Sequence, residues 1–175
     1  LYLNFLRRDS IAMKYASITL SVNGKEQEPM FLILNDELAP TLVDNFLHFC
    51  HSSEDALSYI GTHVTRNTKG NYLFFKMPFP RTKFGASFPI TEFHKALRHD
   101  QRGVLSYHSA GNIAAGHWTI FYNNQPLQDC FYAPFGTVAP QSLHLLDELE
   151  ELASDRDAPT EHEIYITHCQ ALDSL

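Results

Sequence analysis

Ser17-Ile18-Thr19-Leu20-Ser21-Val22, followed by Asn23-Gly24, is the stretch that decides how this chain folds. Polar and apolar side chains alternate along it, the period of two that buries one face of a strand and leaves the other outside the core. Asn-Gly then supplies the positive φ angles of a two-residue hairpin turn. Beyond Pro29, the run Met30-Phe31-Leu32-Ile33-Leu34 is too short for an ordinary helix and reads as the returning strand. Pro40 suits the first turn of a helix, where its missing N–H costs nothing, and Val43, Phe46, Leu47 and Cys50 follow at i, i+3, i+4 and i+7. The spacing predicts an amphipathic helix near Pro40 to His51.

Further along, the reading stays mainly β. From His63 to Arg102 the chain is rich in aromatics, proline and glycine, with Tyr72-Leu73-Phe74-Phe75 as the clear strand in a stretch expected to be largely loop. Gly103-Val104-Leu105-Ser106-Tyr107 and Trp118-Thr119-Ile120-Phe121-Tyr122 read as strands on either side of a small-residue loop, and Phe135-Gly136-Thr137-Val138 as another. Leu143, Leu146, Leu149 and Leu152 recur at helical spacing with Asp147, Glu148, Glu150 and Glu151 between them, which predicts a second helix near Ser142 to Leu152 with a solvated acidic face. Ile164 to Cys169 closes the series as a strand. Many short strands with one helix after the opening hairpin and one before the last strand point to a closed antiparallel barrel capped by two helices.

At 175 residues and 44% hydrophobic, the chain has the material for one core and not for two ordinary domains. A net charge of -7 opposes general attraction to nucleic acid or anionic lipid, so a protein or peptide is the expected partner, with no nucleic acid and no membrane. Cys50, Cys130 and Cys169 are scattered and odd in number, unlike a disulfide framework, and an intracellular setting, cytoplasmic or nuclear, is expected from them. No apolar run reaches the roughly 18 residues of a membrane span, and Leu1-Tyr2-Leu3-Asn4-Phe5-Leu6 is too short for a signal-peptide core. Residues 1–12 are expected to be an N-terminal extension or a segment of a longer protein, with the recognisable domain at 13–175. Their Leu1, Leu3, Phe5 and Leu6 beside Arg7 and Arg8 make an apolar set suited to docking.

Leu38-Ala39-Pro40-Thr41-Leu42-Val43-Asp44-Asn45-Phe46, Tyr59-Ile60-Gly61-Thr62, Gly103-Val104-Leu105-Ser106, Phe135-Gly136-Thr137-Val138 and Ile164 to Cys169 resemble, in order and spacing, the anchors of the cyclophilin family. The resemblance runs from about Tyr15 to Leu172. It implies a closed cyclophilin-like barrel and a prolyl-isomerase pocket, needs no cofactor, and extends the expected partners to proline-containing segments. Arg66 falls on the arginine whose guanidinium contacts the substrate's prolyl amide.

Other pocket positions depart from the family. The floor phenylalanine becomes Asn71, and the glutamine that bonds substrate backbone becomes Phe74. In Tyr107-His108-Ser109-Ala110-Gly111, His108 puts a ring at a position normally kept small. Aligned on Gly116, the pocket phenylalanine becomes Ile120 and a groove-lining glutamine becomes Trp118. The tryptophan used by drug-type cyclic peptides becomes Leu127, and Tyr132 stands in for the histidine. Catalysis requires donors that favour a twisted amide and a pocket that positions the ring, and Arg66 alone supplies only the first. The resemblance therefore implies a catalytically degenerate interaction module, with a weak or specialised peptidyl-prolyl cis-trans isomerase as the alternative. Its expected binding surface comprises Arg66, Asn71, Phe74, His108, Trp118, Ile120 and Tyr132.

Other chemistries fit less well. Ten histidines include no His-x-x-x-His pair, so no metal site is expected, and Ser106 or Ser109 beside His108 lacks the geometry that turns adjacency into a nucleophile–base pair.

Overall fold

The computed structural model describes residues 13–51, 57–79, 81–92, 96–129 and 131–175. The expected N-terminal extension at residues 1–12, and Cys130, lie outside them.

The first hairpin forms as its sequence predicts. Strand β1 (Met13–Val22) turns through Asn23 and Gly24, at φ 50° and 82°, into the two-residue β2 (Lys25–Glu26). Strand β3 (Met30–Asn35) then returns along β1, with Ile18 opposite Met30 and Ala16 opposite Leu32. Helix α1 (Pro40–Phe49) follows with proline in its first turn. Its opening N–H groups find an acceptor far along the chain: Thr41 and Leu42 donate to the Glu92 carboxylate at 2.8 and 3.2 Å, at the helix end where a negative charge is favoured.

Strands β4 (His63–Thr68), β5 (Tyr72–Lys76), the short β6 (Phe88–Pro89), β7 (Val104–Ala110), β8 (Ile113–Phe121) and β9 (Tyr132–Val138) lead to helix α2 (Leu143–Glu151) and strand β10 (Ile164–Leu172). Among the described residues, hydrogen bonding follows the order β10-β4-β5-β8-β7-β9-β3-β1, and β1 pairs with β10 to close an eight-stranded antiparallel barrel. Each helix is within one or two residues of its expected span, the first stopping at Phe49 because Cys50 leaves helical geometry. Strands β4 and β6 arise where loop was expected.

Phe46 of α1 sits at the centre of the interior, its ring 5.1 Å from Tyr59, 5.2 Å from Trp118 and 5.2 Å from Phe135. The enclosed Asn45 is satisfied on both sides: it donates to the Tyr107 hydroxyl at 2.9 Å and accepts from the Lys83 backbone N–H at 2.8 Å. Leu145, Leu146 and Leu149 are the buried face of α2; the leucine spacing predicts Leu146 and Leu149, but Leu143 and Leu152 are only half-buried and Leu145 takes a core place that the spacing did not assign.

Cys50 and Cys169 are joined as a disulfide, 119 residues apart. This corrects the expectation that the cysteines are unlinked. The pairing joins the end of α1 to the closing strand, positions that only barrel closure brings together.

Gly136 lies where two strands come too close to admit a side chain. A Cβ there would lie 2.6 Å from the Ile33 carbonyl oxygen, which belongs to the backbone of the neighbouring β3 and has little room to yield. Gly136→Ala is therefore expected to destabilise the barrel by about 1–3 kcal/mol, the usual range for overpacking. Urea denaturation monitored by circular dichroism measures it.

Candidate functional site

The outer face of β4, β5, β8, β7 and β9 carries a row of arginine, aromatic and histidine side chains. Strand alternation decides which residues reach it. On β8, Trp118 and Ile120 belong to the core together with the following Tyr122, so Thr119 and Phe121 face outwards. On β5, Leu73 and Phe75 point inwards, leaving Tyr72 and Phe74 outside. Cross-strand partners share a face, and the pairs Tyr72–Phe121, Phe74–Thr119 and Ser106–Thr119 extend the row across three strands.

Arg66 reaches this face through a bulge. Val64 pairs with the inward Phe75, whereas Arg66 pairs with the outward Phe74, and Thr65 is the extra residue between them. Regular alternation from Val64 would have turned Arg66 into the core; the bulge re-aims it. Asn67 then points inwards, donating to the Leu149 carbonyl at 2.8 Å and accepting from the Tyr122 hydroxyl at 2.7 Å.

The site's centre is Phe121. Its ring lies 4.8 Å from His99, 5.1 Å from Tyr132 and 6.0 Å from Tyr72, and none of it is exposed. Beside it, the His108 ring packs at 5.4 Å from Tyr132 and 6.3 Å from Phe74, which also lies 5.8 Å from His117. Arg66 donates to one oxygen of Asp157 at 3.1 Å, and the Tyr72 hydroxyl donates to that same oxygen at 3.1 Å. Burial, followed by this hydrogen bond and the carboxylate's charge, pushes the Tyr72 phenol up to about 12. Tyr132 is also raised, by burial and then by Asp157.

Below the aromatics lies a buried polar relay. His99 Nδ1 meets Asp129 Oδ1 at 2.8 Å and its Nε2 meets Ser106 Oγ at 2.6 Å. A carboxylate only accepts, so Nδ1 carries the proton and Nε2 accepts from the serine. Burial lowers the His99 pKa despite the opposing effect of Asp129. Ser106 and His99 are wholly enclosed, so this arrangement braces residues 126–129 against the barrel and does not present a nucleophile to substrate. His117 is likewise lowered by burial, and its Nδ1 accepts the Met77 backbone N–H at 3.0 Å, which fixes the neutral tautomer.

Of the residues expected from the sequence, Arg66, Phe74, His108 and Tyr132 come together on this face. Asn71 occupies the turn between β4 and β5, its N–H bonded to Thr68 and its carbonyl to Tyr122. Trp118 and Ile120 are corrected: both are fully buried in the barrel, Trp118 stacked on Phe75 at 3.9 Å. Alignment on Gly116 put the wrong residues of β8 outside, and Phe121 is the ring that lies beside Tyr132 on the face bearing Arg66. The sequence reading also missed Tyr72, His99, Asp129 and Asp157. The alternation of Trp118, Ile120 and Tyr122 was a signal for Phe121; nothing local marked Asp157. Among the described residues, no group of three or more His, Cys, Asp or Glu side chains is placed to hold a metal, and no helix is long and apolar enough to cross a membrane.

A closed eight-stranded barrel with two helices and an arginine-bearing aromatic face defines a cyclophilin-type domain. The family model described as cyclophilin type peptidyl-prolyl cis-trans isomerase/CLD matches residues 17–171, and this chain belongs to that family. A crystal structure of a cyclophilin type peptidyl-prolyl cis-trans isomerase from Cryptosporidium parvum shares the fold with a TM-score of 0.80 at 22% identity, over 94% of this chain and 100% of that one. A search of curated proteins finds no match.

Proposed function

We propose that this cyclophilin-family domain works as a protein- or peptide-binding module whose prolyl-isomerase turnover is low. The observation that carries the reading is the enclosure of Phe121. With Tyr72, Tyr132 and His99 packed around it and none of its surface exposed, a prolyl ring has no cavity to enter beside Phe121, the outward ring next to Ile120, the residue aligned with the family's pocket phenylalanine. Arg66, meanwhile, is engaged by Asp157. Poor placement of a substrate by even 1 Å costs about a hundredfold in rate.

Binding without turnover is supported by the rim. Leu127 is 83% exposed and Phe131 63% exposed, on the segment that His99 and Asp129 hold against the barrel. Exposed apolar side chains of this size are a mark of contact surfaces. A slow or specialised isomerase is the second reading, favoured by Arg66 and Phe121 sharing the outer face.

A direct cis/trans assay on a proline peptide, run beside an active cyclophilin, separates the two. Turnover about a hundredfold or more below that enzyme is expected, by the placement argument above. Turnover within about tenfold of it would establish the isomerase instead.

A further inference from the structure

We propose that Arg66 and Tyr72 form a carboxylate subsite that Asp157 fills from within, and that the partner of this face is an acidic peptide whose carboxylate displaces it. The inference rests on the reading of this face as a peptide-binding surface and adds the chemistry that the surface selects.

The segment bearing Asp157 is fixed along β4 on both sides of that residue. Ser154 N–H bonds the Asn67 carbonyl at 2.9 Å and Lys69 N–H bonds the Ser154 carbonyl at 2.9 Å, while Thr160 N–H bonds the Thr65 carbonyl at 3.0 Å. Pro159 forms a bridge with Arg66 itself. Between these attachments Asp157 turns towards the outer face, where a single oxygen, Oδ1, accepts from both Arg66 Nη1 and the Tyr72 hydroxyl. Its charge also contributes, after burial, to the raised pKa of Tyr132.

Two converging donors, one cationic and one a phenol, are a receptor for a carboxylate, and charge-assisted bonds of this kind are the strong ones. The internal occupant is held loosely, since the Asp157 side chain is 59% exposed and the Arg66 side chain 39%. Surface ion pairs of that exposure add little to stability, so an incoming carboxylate exchanges with Asp157 at small cost. The family's ordinary use of this arginine, contact with a prolyl carbonyl, needs no acid; the tyrosine and the displaceable aspartate do.

The test uses Asp157→Ala, with Asp157→Asn as a second variant, both confirmed folded by circular dichroism. In the alanine variant the Tyr72 phenol, followed by NMR of labelled tyrosine and assigned with Tyr72→Phe, is expected to fall from about 12 towards the ordinary value of 10. An unchanged titration would overturn the clasp. Binding is then measured by calorimetry with tetrapeptides carrying central Glu-Pro or Gln-Pro, each with a free or an amidated C-terminus, which separates a side-chain carboxylate from a terminal one. A carboxylate peptide is expected to bind Asp157→Ala about tenfold more tightly than the unmodified protein, and about tenfold more tightly than its uncharged counterpart, with the preference abolished by adding Arg66→Gln. Equal affinity for charged and uncharged peptides overturns the carboxylate subsite and leaves the peptide-binding face standing. Failure of every peptide to bind either protein overturns both.

Discussion

Replacing Trp118 by alanine is expected to cost the barrel about 3–5 kcal/mol, the range for deleting a large buried aromatic. The indole stacks on Phe75 at 3.9 Å and meets Phe46 edge-on at 5.2 Å, so its removal opens a cavity beside the ring at the centre of the core. Trp118→Phe should cost much less. The indole Nε1 is buried with no hydrogen-bond partner among the described residues, and a phenyl ring removes that unsatisfied donor while keeping most of the stacking surface. Equilibrium urea denaturation of both variants checks the contrast. A Trp118 exposed on the groove, as the sequence reading expected, would give an alanine variant within about 0.5 kcal/mol of the parent.

Reduction of the Cys50–Cys169 disulfide is the second large effect. The link closes a loop of 119 residues, and cross-linking a loop of that size restricts the unfolded chain by an amount equivalent to about 4–5 kcal/mol in the chain-entropy model. Thermal melts with and without a reducing agent should therefore differ, and Cys50→Ser combined with Cys169→Ser should reproduce the reduced curve and be insensitive to the agent. Identical melts of the parent under both conditions would show that the link contributes nothing. Because both cysteines are almost wholly buried, reduction should proceed through unfolding and be slow in the native protein.

The architecture was legible wherever side-chain type keeps a regular period. Strand β1 alternates polar and apolar residues although both of its faces are covered from Ala16 to Ser21, and helix α2 buries one face and exposes the other, so their periods stand out in the sequence. Strand β4 was not legible for three local reasons: its bulge interrupts alternation at Thr65, its inward Asn67 is polar, and Arg66 looks like an ordinary loop charge. Asn67 is satisfied by Leu149 and Tyr122, partners 82 and 55 residues away that no local pattern reveals. Its hydrogen bonds, not its hydrophobicity, put it inside.

The site was legible in part, and its errors have one physical source. Arg66, Phe74, His108 and Tyr132, named from the family resemblance, share the outer face. Trp118 and Ile120 do not, because anchoring β8 on Gly116 assigned its faces wrongly, and a strand read one residue out exchanges every side chain between core and surface. Three large apolar residues at alternate positions, Trp118, Ile120 and Tyr122, already described an inward face. Asp157 is different in kind. It meets Arg66 across 91 residues through a segment with no strand or helix of its own, and only the closed barrel makes the meeting visible.

The pairing of β1 with β10 also determines when the domain can exist in a growing chain. Tyr15 sits opposite Leu172, so at an elongation rate of about 5–20 residues per second the first strand waits roughly 10–30 s for its last neighbour to be synthesised. No nascent chain short of β10 holds a closed barrel. During that interval one side of β1 offers unpaired backbone groups, the kind of edge that recruits other chains. A nascent chain that has not yet reached β10 therefore exposes a strand edge that the finished molecule hides.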